Sequence, residues 1–105
     1  MILLSELYNK LKHYEYEGNS SVDSFYKDLR SYIKGGYLPI HGYLSDRQSC
    51  VFENAVNMLL RGDYASALVE TLDFMHNYQD NNHEITNEEY TCLNIILIVY
   101  ESRCV

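Results

Sequence analysis

The sequence predicts an all-α fold, a single-domain bundle over residues 1–105 with about five helices. Apolar side chains recur at helical spacing in five stretches, and glycines or polar capping residues separate these stretches. One stretch, 95–100, has the continuous β-branched character of a buried strand, but the chain offers no second strand to pair with its backbone. With 105 residues, 47% of them hydrophobic, and one proline, the chain is long enough for one core and too apolar for disorder.

The first two predicted helices cover residues 3–16 and 22–34. Gly18 and the polar residues after it end the first helix, and Gly35-Gly36 ends the second as a left-handed cap would. Residues 37–44, which include the only proline, are predicted to form an ordered loop. The apolar stripe of the first helix is Leu4, Leu7, Tyr8, Leu11 and Tyr14, and that of the second is Val22, Phe25, Tyr26, Leu29, Tyr32 and Ile33.

The third and fourth predicted helices form a hairpin. Ser45 and Gln48 have the spacing of a capping box, so a helix should begin at residue 46 and end at Gly62. Asp63 is placed to cap the next helix, residues 64–78. The core-facing residues of the hairpin are Val51, Phe52, Ala55, Val56, Leu59 and Leu60 in the third helix and Ala65, Ala67, Leu68, Leu72 and Met75 in the fourth.

The turn of this hairpin, residues 60–68, resembles the turn between the two helices of a tetratricopeptide repeat. Ala55 and Ala67 stand where that family places small residues at the helix crossing. Thr71 and Phe74 depart from the family pattern, and nothing elsewhere in the chain repeats it. The resemblance implies a helical hairpin rather than a repeat array.

A fifth helix is predicted from residue 87 to Arg103. Thr86 and Glu89 have the spacing of a second capping box. The apolar run Ile95–Tyr100 within this segment would suit a strand as well as a helix. Because no partner strand is available, we predict a central helix that is buried on nearly all sides.

No motif in the chain points to catalysis. The histidines do not have zinc-protease spacing, and the glycines form no phosphate-binding loop. His76, Asp80 and His83 would share a face only if the fourth helix continued past residue 78, and such spacing also arises by chance at polar helix ends. We therefore predict a protein that is not an enzyme and that binds no metal or cofactor.

The cysteines and the N-terminal segment predict a cytoplasmic protein. Cys50, Cys92 and Cys104 match no zinc or redox spacing, and their odd number argues against a disulfide framework. The apolar start Met1–Leu4 has neither the basic residues nor the cleavage site of a signal peptide. The longest apolar run is far shorter than a membrane span, so we expect no membrane partner.

The net charge of −7 is confined to residues 62–105. Residues 1–61 contain seven acidic and seven basic side chains, whereas residues 62–105 contain eight acidic side chains and one basic one, Arg103. This balance argues against direct binding of nucleic acid through its phosphates. Unpaired carboxylates at this density repel one another, and a cationic partner would relieve that repulsion. The alternative is a solvated face that keeps a small protein soluble.

The candidate partner-binding residues lie in this acidic half. Three carboxylates follow at helical spacing along the fourth helix, and two more come next in the chain. Two tyrosines near the same loop are the predicted aromatic anchors, because tyrosine buries a large area with few rotatable bonds. The carboxylates, called the acidic patch below, are Glu70, Asp73, Asp80, Glu84 and Glu88, and the anchors are Tyr78 and Tyr90.

In size, acidity and tyrosine content (11 residues), the chain resembles the immunity proteins that bacteria make against nuclease toxins, including those of contact-dependent growth inhibition systems and colicins. The resemblance is one of general character and rests on no shared motif. It implies an inhibitor that binds the basic cleft of a toxin, or a basic surface beside it, and keeps nucleic acid out. Affinity would then fall as salt rises.

Two other functions fit the sequence. A phage-type anti-defence protein that mimics nucleic acid would use the same electrostatics, although eight carboxylates are few for such a mimic. A helical adaptor would present a groove between the third and fourth helices to an apolar peptide. An adaptor should bind nearly independently of ionic strength, whereas an inhibitor that acts through carboxylates should not.

Overall fold

The computed structural model describes residues 3–16, 22–33, 44–76 and 84–103. These residues form five α-helices, which confirms the predicted all-α fold. The helices are α1 (Leu4–Leu11), α2 (Val22–Tyr32), α3 (Asp46–Leu60), α4 (Tyr64–His76) and α5 (Asn87–Arg103). The first predicted helix is in two parts, because α1 continues as a 3-10 segment, Lys12–Tyr16. The predicted cap at Gly35-Gly36, the loop that follows it and residues 77–83 lie outside the described residues.

Both predicted capping boxes are confirmed. At the start of α3, the Ser45 hydroxyl accepts from the Gln48 N–H (3.2 Å), and the Gln48 side-chain oxygen accepts from the Ser45 N–H (3.4 Å). At the start of α5, Thr86 and Glu89 exchange the equivalent bonds at 3.2 and 3.0 Å. Each pair satisfies two backbone donors that a helix leaves open at its first turn.

The turn between α3 and α4 is set by Gly62. Its φ of 82° lies in the left-handed region, and its N–H donates to the carbonyl of Leu59 at 3.0 Å. The N–H of Asp63 donates to the carbonyl of Met58 at 2.9 Å, which completes a Schellman motif. The Asp63 carboxylate then accepts from the Ser66 N–H (3.3 Å) and caps α4 as predicted.

Replacing Gly62 with alanine should lower the free energy of unfolding by about 1 kcal/mol, because an L-residue is strained in the left-handed region. No atom lies within 4 Å of the place where the new Cβ would stand, so the cost is conformational and not steric. Urea unfolding monitored by circular dichroism measures the change. Gly62→Asn should lower the free energy of unfolding by less, because asparagine tolerates the left-handed region better than alanine does. Equal losses of stability for the two variants would contradict this explanation.

The helices pack around one core with defined directions. α3 and α5 run in the same direction, since Gln48 Nε2 donates to Glu89 Oε2 (3.4 Å) at one end and Arg103 Nη2 donates to the Leu60 carbonyl (2.9 Å) at the other. α4 returns along α3, α1 packs on α4, and α2 packs on α5. The largest fully buried side chains are Leu4, Leu7, Leu11, Phe25, Tyr26, Leu29, Ile33, Leu59, Leu72, Phe74, Met75 and Leu93.

Polar side chains join α2 to α5 around a pair of stacked tyrosines. The rings of Tyr26 and Tyr100 stack with their centroids 3.9 Å apart, and the Tyr100 hydroxyl donates to the Asp23 carboxylate. Arg30 forms an ion pair with Glu101. α2 is therefore held on α5 by an aromatic contact flanked by charged groups, rather than by aliphatic packing alone.

The buried face of α4 is wider than predicted. Leu68, Leu72 and Met75 are buried as expected, but Thr71 and Phe74 are also fully buried. The Thr71 hydroxyl donates to the carbonyl four residues earlier (2.8 Å), so this polar group is satisfied inside the core. The wider face arises because α4 lies between α3 and α1 and contacts both helices.

α5 is a helix, as predicted, but it is not buried on nearly all sides. Ile98 is 51% exposed, and Ile95 and Val99 are only partly buried. α2 and α3 both pack on α5 but leave these three side chains at least partly exposed. Two residues assigned to apolar stripes are likewise exposed: Leu60 is 47% exposed and Tyr32 is 38% exposed.

Candidate functional site

Three of the eight acidic side chains in residues 62–105 have structural roles. Glu89 is only 3% exposed and closes the capping box of α5. Asp63 caps α4, and Glu101 pairs with Arg30. The five that are left are the members of the predicted acidic patch.

Glu70 and Asp73 form a close pair on α4. They are three residues apart on the outward side of the helix, and both are partly buried. Burial raises the pKa of the Glu70 carboxyl, and the negative charge of Asp73 raises it further. Among the described residues, no basic side chain lies within ion-pair distance of either carboxylate. The folded protein therefore holds Glu70 in an environment that opposes its ionisation.

Glu84 and Glu88 lie at other places in the fold. Glu84 is exposed, and its backbone forms an isolated antiparallel bridge with Leu3, just before α1. Glu88 is partly buried in the first turn of α5, where the helix dipole favours a negative charge. In the part of the chain that the structure describes, the acidic patch thus consists of one pair on α4 and two separate carboxylates before and at the start of α5.

The remaining predicted site residues are one described tyrosine and two positions outside the described residues. Tyr90 is partly buried against the core, so part of its ring is already used within the protein. Asp80 and Tyr78 lie in residues 77–83, which the structure does not describe. Their place in the acidic patch stays a prediction.

Within the described ranges, no group of three or more histidine, cysteine or acidic side chains could hold a metal ion. α4 ends at His76, whose ring stacks on Tyr8 with centroids 4.4 Å apart, and the other two residues of the spacing noted above are not described. Cys92 is buried, and burial together with the charges of Glu89 and Glu88 raises the pKa of its thiol to about 12. A thiol with this pKa stays protonated at neutral pH and is a poor nucleophile.

None of the described helices is both long enough and apolar enough to cross a membrane.

The structure reveals an apolar groove between α3 and α5. It has a volume of about 470 Å³ and is lined by Phe52, Glu53, Val56, Asn57 and Ile95. The adaptor interpretation placed its groove between α3 and α4 instead; Ala55 of α3 and Ala67 of α4 are both fully buried. Periodicity could not locate the groove, because the run Ile95–Tyr100 of α5 is continuously apolar and shows no helical period.

Replacing Glu70 with glutamine should raise the free energy of unfolding at pH 7 by a few tenths of a kcal/mol, since it removes a charge beside Asp73. The raised pKa sets the sign: Glu70 favours folding when it is protonated, and this contribution is lost as pH rises through the raised pKa. The difference in the free energy of unfolding between the variant and the parent should therefore shrink as pH falls towards the ordinary pKa range of glutamate. Thermal unfolding at several pH values measures this; a variant less stable than the parent at pH 7 would contradict it.

Comparisons with protein-family models, with curated proteins and with solved structures found no match to this chain.

Proposed function

We propose that this protein is a non-catalytic inhibitor that binds and neutralises a basic protein, and that the basic protein is a nuclease toxin to which this chain confers immunity. The observation that carries the proposal is that the acidic side chains of residues 62–105 fall into two groups. Glu89, Asp63 and Glu101 stabilise the fold, whereas Glu70, Asp73, Glu84 and Glu88 have no cationic partner among the described residues. These carboxylates are available to a partner.

The Glu70–Asp73 pair on α4 favours a partner-binding surface over a merely solvated face. A carboxylate that only confers solubility gains nothing from partial burial beside a second carboxylate, and the raised pKa of Glu70 records that cost. An arginine or lysine of a partner placed between Glu70 and Asp73 would favour both charges. The unfavourable free energy of keeping Glu70 ionised beside Asp73 would then be relieved when the partner binds.

The mechanism follows from charge. A nuclease has a basic substrate cleft, because it must hold phosphates. An acidic protein bound in or beside that cleft would exclude nucleic acid by occupying its space and matching its charge. The long-range attraction speeds association and weakens with salt, since the Debye length shortens from about 10 Å at 0.1 M to about 3 Å at 1 M.

The test is capture from a lysate of the source organism, with tagged protein at low salt, followed by elution with a salt step. We expect one basic nuclease in the salt eluate. Its activity on RNA or DNA, measured after purification, should fall to background when one equivalent of this protein is added. A captured protein that resists high salt, or a nuclease that stays active with excess protein, would contradict the proposal.

A further inference from the structure

The groove between α3 and α5 presents an apolar surface in the part of the chain that the structure describes. Phe52 and Val56 of α3 and Ile95 of α5 line it. Leu60 follows Val56 by one turn and Ile98 follows Ile95 by one turn, and they extend the apolar surface towards the C-terminal ends of the two helices. Burying these apolar side chains against a partner would contribute about 25 cal/mol of favourable free energy for each Å² of apolar surface removed from water.

Its dimensions fit one face of a short helix. α3 and α5 run in the same direction on either side of the groove, so their side chains form two approximately parallel walls. From Phe52 to Leu60 the wall extends over two helical turns, about 12 Å at 1.5 Å per residue. An amphipathic helix that presents apolar side chains at positions i, i+3 or i+4, and i+7 would reach along this length.

Carboxylates stand at one end of the groove. Glu53 lines it and is exposed, and Asp46 lies two turns earlier on the same face of α3. Glu88 lies two turns before Ile95 on the same face of α5. At the other end, Arg103 is engaged with the C-terminal carbonyl of α3. An occupant with lysine or arginine beside its apolar face would therefore meet opposite charge at the N-terminal end of the groove.

We infer that this groove is a second contact surface for the basic partner and that it takes an amphipathic helix whose apolar face carries flanking lysine or arginine side chains. Charge complementarity decides between this occupant and a second copy of the chain, since two copies would each bring a net charge of −7. The inference rests on the proposed function for the identity of the partner. It assigns Glu88 to this groove and leaves Glu70 and Asp73 on α4 for a separate contact.

Two asparagines of α3 provide a matched test. Asn57 lines the groove, whereas Asn54 lies outside the lining; both are exposed. Asn57→Lys places a cation inside the groove without disturbing the core, and Asn54→Lys makes the same chemical change on the same helix. The probe is a helical peptide of about 20 residues, clear of the length below which isolated helices are marginal in water, with leucines on one face and lysines on the other. A peptide with glutamates in place of the lysines is its counterpart.

Titration of the ¹⁵N-labelled full chain should shift the backbone amides of Val56, Asn57 and Ile95 with the lysine peptide and not with the glutamate peptide. Asn57→Lys should weaken binding at least tenfold, and Asn54→Lys less than twofold. Equal effects of the two substitutions, equal binding of the two peptides, or no binding would overturn the inference. Concentration-dependent self-association through the groove would overturn it in favour of a second copy.

The outcomes also separate this inference from the proposed function. If the lysine peptide shifts the amides of Glu70 and Asp73 but not those of the groove, the groove is not the helix-binding surface, and the proposed inhibitor function is unaffected. If the peptide occupies the groove but no basic nuclease is captured from the lysate, the proposed function fails and the groove is still a binding surface.

Discussion

Neutralising four members of the acidic patch should weaken binding of the basic partner by about fivefold or more at low salt. The variant carries Glu70→Gln, Asp73→Asn, Asp80→Asn and Glu84→Gln, and removing four negative charges takes the net charge from −7 to −3. Each exposed ion pair at an interface contributes roughly 0.2–1 kcal/mol, so four pairs account for about 1–4 kcal/mol of affinity. Titration calorimetry with the captured partner at low and high salt measures the loss.

The same variant should fold as well as the parent, or better. Burial and the negative charge of Asp73 raise the pKa of the Glu70 carboxyl in the folded state, and replacing both carboxylates with amides removes that repulsion. Thermal unfolding of the isolated protein provides this readout, and it separates a lost interface from a damaged fold. A stable variant that retains full affinity would show that the acidic patch is a solvated face and not a binding surface.

A charge-matched pair tests whether position matters. Glu70→Gln with Asp73→Asn removes two charges from α4, and Glu15→Gln with Glu17→Gln removes two charges from the electrically neutral first 61 residues. If net charge alone attracts the partner, the two double variants should lose affinity equally. We expect a several-fold loss for the pair on α4 and less than a twofold loss for the other pair.

Replacing Phe74 with alanine should lower the free energy of unfolding by about 3–5 kcal/mol, which is the largest effect on stability expected for these variants. Phe74 is fully buried in α4, and its ring lies against that of Phe52 with centroids 6.4 Å apart. The loss combines the transfer of a large apolar side chain to water with the cavity left between α3 and α4. Because a domain of this size has about 5–15 kcal/mol of stability in total, much of it would be lost.

Urea unfolding of Phe74→Ala, monitored by circular dichroism, measures this loss. Val69→Ala is the matched control, because Val69 is on the same helix and is 37% exposed; its change should stay within about 0.5 kcal/mol. The groove provides a second readout. Phe52 contacts Phe74 and also lines the groove. Phe74→Ala should therefore weaken binding of the lysine peptide as well. Similar losses of stability at positions 69 and 74 would contradict the placement of Phe74 in the core.

The sequence by itself determined where α3, α4 and α5 begin and where α3 ends, because these positions depend on neighbours in the chain. Ser45 with Gln48, Thr86 with Glu89, and Gly62 with Asp63 act within one turn, so their spacing was sufficient to predict the bonds that form. The confinement of the net charge to residues 62–105 is likewise a property of the sequence. It indicated a basic partner before the structure showed which carboxylates stabilise the fold.

Only the tertiary structure decided which apolar and acidic side chains remain at the surface. The run Ile95–Tyr100 of α5 is continuously apolar, so no periodicity could show that Ile98 would be exposed while Leu97 would be buried. Nor could spacing show that Glu89 closes a cap inside the protein while Glu88, its neighbour, is only partly buried. Exposure depends on which helices pack against a face, and that choice is made by contacts between residues far apart in the chain.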